Sequence, residues 1–268
     1  NIPVFLNPGH TCGGLHFVNE LKKAGYTRRV SCCETVTLTY ICRMEGPTTV
    51  GIYAKVKNLL FGAFPAQNSE DLFATIKSLY SEILPASNVL ETALSNMNAV
   101  FHPPGMLMNT GWVESTGGDF LFYRQGMSPA VGRVTAAVDK ERMAVAKALG
   151  VKTRSFLDNF FEAGLTTKEA RDSNDISRAC YESMPNRTIK SPSSLDDRYI
   201  HEDVGYGLVP MSELGRMVQV STPTIDAIIR LVSDATDIPY YSDGLTLEKM
   251  GINNLDKDSL QRYITQGS

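Results

Sequence analysis

Histidine is scarce in this chain, four among 268 residues, and His102 is the one best placed for chemistry. It follows a segment, residues 88–101, in which Leu90, Ala93, Leu94, Met97 and Phe101 recur at helical spacing. Asn98 lies four residues earlier, on the same helix face. An imidazole titrates nearest neutrality, so a histidine there suits general acid/base work. Its plainer role is a helix-terminal charge favoured by the dipole. A second cluster packs Arg198, Tyr199, His201, Glu202 and Asp203 into six positions. Its carboxylates could orient a histidine, and its arginine is a fork for planar anions. Such runs are ordinarily solvated loops. Spacing does not rank His10 against His201, and His16 falls on the first predicted helix.

Two further groups sit where an α/β sheet binds ligands. Glu34-Thr35 closes a predicted strand, and open sheets bind beyond their strand ends; a lone glutamate is more often solvated. The turn at residues 7–14, with Gly9, Gly13 and Gly14, lets a ligand approach the backbone at a helix N-terminus. It reads equally as a tight strand-to-helix turn. Asp139-x-Glu141-Arg142 reads as acidic residues in the first turn of a helix. Met106 and Met108 hint at an apolar pocket beside His102, or are gap fillers. No G-x-G-x-x-G or G-x-x-x-x-G-K-[ST] occurs, and Gly205-Tyr206-Gly207 lacks a third glycine.

The elements that must position these groups change character along the chain. Strands are predicted over residues 2–6, 29–33, 37–42 and 48–56, with a further apolar stretch closing at Pro65. A helix starts near Leu15 and stops at Gly25. Another spans 68–84, with Ser69 as cap and Leu79 and Tyr80 on its buried face. Beyond Pro85 the helical period dominates: 88–101, ended by Pro103-Pro104, then 138–149, 166–181 and 212–218. A helix capped by the Thr222 hydroxyl with Pro223 at its first position follows; 246–250 and 256–264 finish the chain. The boundary falls near 85–97.

A formal net charge of −3 and a longest basic cluster of two, Arg28-Arg29, exclude the electrostatic footprint of a nucleic-acid or polybasic membrane binder. No run reaches the roughly 20 apolar residues of a membrane span. Five cysteines at irregular spacing, without a CxxC pair, read as reduced thiols of a cytoplasmic protein. The chain starts at Asn1 rather than Met, without a signal segment.

Taken together, several motifs resemble one family. They are Asn7-Pro8-Gly9-His10-Thr11-x-Gly13-Gly14, Glu34-Thr35-x-Thr37-Leu38-x-Tyr40-x-x-Arg43 and Asn96-x-Asn98-x-x-x-His102-Pro103-Pro104. Later come Asp139-x-Glu141-Arg142, Arg198-Tyr199-x-x-Glu202-Asp203-Val204-x-x-Gly207-Leu208-Val209-Pro210 and Thr222-Pro223-x-Ile225-Asp226. This set resembles the opine dehydrogenases (octopine/nopaline dehydrogenase family), and within them the bacterial carboxyethyl-norvaline dehydrogenase type. The resemblance covers essentially the whole chain.

It implies an α/β partial Rossmann sheet over residues 1–95. An all-α domain similar to the C-terminal domain of 6-phosphogluconate dehydrogenase follows over 96–268. It implies NAD, with NADP as alternative, and the reductive condensation of an amino acid with a 2-oxo acid such as pyruvate, in a monomer or homodimer. His102 would be the general acid/base. Asp203 would orient it and favour its charged form. Arg198 would reach the cofactor pyrophosphate. Glu34, Thr35, His10 and Asn98 would bind substrate, and Gly9 the cofactor.

The departure from the family is at the start: the first βαβ units, roughly 60 residues with the glycine fingerprint, are absent. An N-terminally incomplete chain is expected, or a natural truncation without activity. His102 and Asp203 should then meet across a cleft between the domains, and the sheet should expose an apolar edge or face. The competing functions are a related two-domain 2-oxo or 3-hydroxy acid reductase and a non-catalytic helical binding or oligomerisation module. Reductases of that kind typically use a lysine, and residues 88–101 contain none.

Overall fold

A computed structural model describes residues 3–267. The first part is built on β1 (Val4–Leu6), α1 (Gly13–Lys23) and β2 (Cys32–Thr35). The α1 crossover makes β1 and β2 parallel. Leu15 and Val18 of α1 are buried, and Lys22 and Lys23 occupy its last turn, where cations favour the dipole.

The chain then leaves the sheet as a hairpin, β3 (Tyr40–Gly46) and β4 (Thr49–Lys55). It returns as β5 (Leu59–Phe64), antiparallel to β2. No helix crosses between β2 and β5, so the return reverses direction. α2 (Ser69–Lys77) carries the chain over to β6 (Ile83–Pro85), parallel to β5. The resulting mixed sheet has the order β1-β2-β5-β6. β1 is an edge strand whose residues are half-buried. On the hairpin, Met44, Val50 and Ile52 are each more than half exposed.

The helices follow: α3 (Val89–Ala93), α4 (Asn98–Leu107), α5 (Thr110–Thr116), α6 (Pro129–Ala148), α7 (Phe156–Glu162), α8 (Lys168–Asp172), α9 (Ile176–Tyr181), α10 (Arg198–Asp203), α11 (Val209–Met217), α12 (Pro223–Thr236), α13 (Tyr240–Asp243) and α14 (Lys257–Gln266). One apolar core runs without a break from Leu15 and Phe61 beside the sheet to Phe156 and Ile229 among the helices. No helix among the described residues is long and apolar enough to cross a membrane. All five cysteines are free thiols.

Several predicted elements are redrawn. Helix 68–84 is shorter: α2 ends at Lys77, Leu79 is exposed, and residues 83–85 form a strand. The single helix 88–101 is two, α3 and α4, broken at residues 94–97. Pro103-Pro104 does not end α4. The prolines cannot supply the usual bonds to the carbonyls of Ala99 and Val100, yet residues 99–106 are all buried and the packing carries the helix on. Helix 166–181 is split into α8 and α9, because Asp175 accepts from the Arg178 N–H and starts a new helix. Residues 246–250 form a turn rather than a helix. α6 begins earlier than predicted, at Pro129, with the Ser128 hydroxyl accepting from the Val131 N–H.

Asp139, Glu141 and Arg142 therefore lie in the middle of α6, not in its first turn. Their acids do other work. Glu141 accepts from the Thr224 and Ile225 N–H groups (2.8 and 2.9 Å) and so caps α12 from outside. The Thr222 hydroxyl makes no cap bond there. Arg142 is fully buried. It donates to Asp139 (2.9 and 2.6 Å), to the Leu94 carbonyl and to the Arg154 carbonyl (2.7 Å), while Asp139 also accepts from the Phe156 N–H (2.8 Å). This network ties α6 to the end of α3 and the start of α7.

Candidate active site

His102 lies inside α4, 4% exposed. Its Nδ1 is 2.7 Å from Asp203 Oδ2, and its Nε2 is 3.0 Å from the Tyr123 hydroxyl. The Tyr123 hydroxyl is in turn 3.1 Å from that of Tyr199. The imidazole stacks on the Tyr199 ring (3.6 Å between centroids, 6° between planes) and lies against Phe101. Both ring nitrogens are thus engaged.

The expected pairing of His102 with Asp203 is present, but not across a cleft between the sheet and the helices. Both residues belong to the helical part, on α4 and α10. Asp197 caps α10 by accepting from the Tyr199 N–H (2.9 Å). After Asp203 the backbone widens into a π-helical turn, Val204–Leu208. Gly207 in that turn rests on α4: a Cβ there would sit 2.5 Å from the Ala99 Cβ. This close approach, one helical turn before His102, brings Asp203 within reach. Tyr123 arrives on a second π-helical turn, Phe122–Gly126. Such turns are rare and often placed at functional sites.

Burial sets the electrostatics. It holds His102 well below the usual imidazole range, helped by the positive charges of Arg198 and Arg43 and opposed by Asp197 and Glu202. Burial lifts Asp203 to about 7 against the opposing charges of His10 and Arg198. The two are coupled through the Nδ1–Oδ2 contact and titrate as one unit. The imidazolium is disfavoured overall, because desolvation and the two arginines outweigh the carboxylates of Asp197 and Glu202. Asp203 Oδ1 is buried without a hydrogen-bond partner among the described residues.

His102, Tyr123 and Tyr199 form one wall of a cavity of about 680 Å³. The hairpin strand β3, the turn around Pro8 and His10, α7, residues 186–192 and α10 complete it. His10 and Asn98 line the cavity, and His10 lies 3.8 Å from Glu202. Arg43 and Arg198 both line it, and neither makes an ion pair among the described residues. Guanidinium groups in that state suit carboxylate or phosphate oxygens.

Glu34, Thr35 and Gly9 are not part of this lining. Glu34 is fully buried; it accepts from the Gly14 N–H (2.9 Å) and the Thr92 hydroxyl (2.6 Å). Burial raises its carboxyl to about 7 despite both bonds. Thr35 is buried and donates to Asn7 (3.0 Å). Gly9 is needed because a Cβ would lie 2.3 Å from Glu34 Oε2. The anion at the α1 N-terminus is thus the chain's own Glu34. Met106 is core and Met108 is exposed; neither lines the cavity. Tyr123 is the residue that sequence reasoning missed. The only signal was an aromatic cluster, Phe120-x-Phe122-Tyr123, between two helices.

A mixed sheet followed by a helical domain is a fold shared with two-domain dehydrogenases and reductases of known structure. The chain belongs to the NAD/NADP octopine/nopaline dehydrogenase family, whose alpha-helical domain matches residues 85–236. It is 37% identical over 256 residues to the opine dehydrogenase of Arthrobacter sp. (strain 1C), covering 94% of this chain and 68% of that protein. It also matches octopine dehydrogenase solved with NADH and L-arginine (TM-score 0.73, 17% identity, 99% of this chain and 72% of that one). Yersinopine dehydrogenase with NADP+ is similar (TM-score 0.72, 16% identity, 98% and 71%).

Proposed function

We propose that this chain carries the substrate site of an opine dehydrogenase, which joins an amino acid to a 2-oxo acid such as pyruvate and reduces the product. The observation that carries the reading is the His102–Asp203 pair on the wall of a cavity that also holds two arginines without ion pairs. It agrees with the names of the relatives, one an opine dehydrogenase and one solved with NADH and L-arginine.

In this reading Arg198 meets an anionic oxygen of the cofactor or the 2-oxo acid, and His10 and Asn98 lie along the bound substrates. His102 takes the proton released as the amine adds to the carbonyl and returns one as water leaves. Asp203 keeps the ring oriented throughout. When bound, a nicotinamide cofactor would supply the hydride that reduces the condensed product. The unpaired guanidinium of Arg198 fits its pyrophosphate, whereas Gly9 packs on Glu34 and is left out of that role. We assign residues 1–95 to the cofactor-side sheet and 96–268 to the substrate-side helices. NAD, a monomer or homodimer, and a cytoplasmic setting consistent with five free thiols complete the proposal.

The test is pyruvate binding to this chain, followed by NMR of the histidine ring resonances. Pyruvate should shift the His102 signals, and Arg198→Ala should weaken its binding. A shift confined to other histidines would refute the assignment.

A further inference from the structure

In the ligand-free chain the proposed acid/base has no free nitrogen. Asp203 occupies Nδ1 and Tyr123 occupies Nε2. One ring face is covered by Tyr199, and the residue is 4% exposed. A ligand in the cavity does, however, meet the tyrosines, since Tyr123 and Tyr199 line it and their hydroxyls are bonded to each other.

We infer that His102, Tyr123 and Tyr199 form a proton wire through which the buried imidazole exchanges protons with the cavity. Tyr123 is its positioning link. The inference rests on the reading of His102 as the acid/base. Each phenol has one hydrogen and an oxygen that can also accept, so each can pass a proton without changing its own charge. In one direction a donor in the cavity gives a proton to the Tyr199 oxygen. The Tyr199 hydroxyl proton moves to the Tyr123 oxygen, and the Tyr123 hydroxyl proton moves to the Nε2 lone pair. One N–H bond has formed on His102, one bond to hydrogen has broken on the donor, and both tyrosines remain neutral. The reverse sequence returns the proton.

The direction follows from the His102–Asp203 pair. When the pair is deprotonated, the carboxylate accepts from Nδ1–H, so Nε2 bears a lone pair and Tyr123 must donate to it. When the pair gains its proton, Nε2 carries hydrogen and Tyr123 must accept. The wire therefore reverses polarity with one proton. The charges that face this unit are Arg198, Asp197 and Glu202 on and before α10, Arg43 from β3 and His10 from the turn after β1. Burial holds both phenols above their ordinary range, so the wire works through neutral tyrosines rather than tyrosinates.

The experiment is NMR of this chain with 15N-labelled histidine, across the titration of the pair. Above it, a tyrosine hydroxyl proton should correlate with His102 Nε2. In Tyr123→Phe that correlation should disappear. Exchange of the Nε2 proton with water below the titration should slow about tenfold, the worth of one hydrogen bond. Tyr199→Phe should leave the Nε2 shift nearly unchanged and still slow the exchange. A purely space-filling Tyr123 would move none of these. The wire is overturned if no hydroxyl correlates with Nε2 in the wild type, or if both variants exchange at the wild-type rate. Should Tyr123→Phe fail to fold, the wild-type correlation and Tyr199→Phe decide. Pyruvate displacing Tyr123 from Nε2 would also overturn the wire, whereas a retained bond supports it. A lack of any pyruvate effect counts against the opine reading alone, because the ligand-free readouts settle the wire separately.

Discussion

Two buried acid–base pairs lie in the helical part, Asp139–Arg142 and His102–Asp203. In the first, both carboxylate oxygens have partners, and the guanidinium reaches two backbone carbonyls besides. Its charges are neutralised and spread over three elements. In the second, one carboxylate oxygen has no partner, and the imidazole is pushed toward neutrality at a cavity wall. Burying polar groups is costly unless they are satisfied. The satisfied pair therefore holds the fold. The under-satisfied pair sets an imidazole disfavoured as a cation beside a carboxylate at a cavity wall, an arrangement suited to acid/base chemistry.

The comparison breaks most readily at Asp203. Asp203→Asn should lower 2-oxo-acid-dependent NADH oxidation by about 10³–10⁴-fold, since the ring loses its orienting anion. Its urea midpoint should move little, within about 1 kcal/mol of stability. An activity loss matched by an equal stability loss would erase the distinction between the pairs. Arg142→Ala should show the opposite pattern. Leaving Asp139 buried and unpaired costs roughly 3–5 kcal/mol, read from chemical denaturation.

Glu34 sharpens the contrast, as a buried acid with hydrogen bonds but no cation partner. Its carboxyl rises from 4.5 to about 7 on folding, so between those values the folded state binds the proton that the unfolded chain has lost. Stability must then fall as pH rises through this window, by an amount on the order of 3 kcal/mol. Glu34→Gln should flatten that slope; an unchanged slope would assign it to another group. The smallest effect belongs to Glu141, a carboxylate acting only as a cap. Glu141→Ala should cost about 1 kcal/mol and fray the start of α12, visible as faster amide exchange at Thr224 and Ile225.

How much was legible beforehand differs between these residues. His102, Asp203 and Arg198 were readable through motif resemblance, and His10 and Asn98 do line the cavity. Glu34 was misplaced, because a strand-end acid reads the same whether it faces a cleft or caps a neighbouring helix. Asp139 and Glu141 lie mid-helix rather than in a first turn because α6 starts nine residues before the predicted 138. The break in residues 88–101 and the passage of α4 through Pro103-Pro104 were hidden because tertiary burial overrode local propensity.

The sequence by itself determined the succession of a strand-rich part and a helical part, the absence of a glycine fingerprint, and the chemical identity of the acid/base pair. These depend on residue types and on local periodicity. Tertiary structure alone decided that Asp203 meets His102 within the helical part, through the close approach of Gly207 to Ala99. It alone set Tyr123 on the second imidazole nitrogen and turned Glu34 inward. Each of those outcomes depends on contacts between segments distant in the chain, and on the desolvation those contacts impose, which no local pattern of residues encodes.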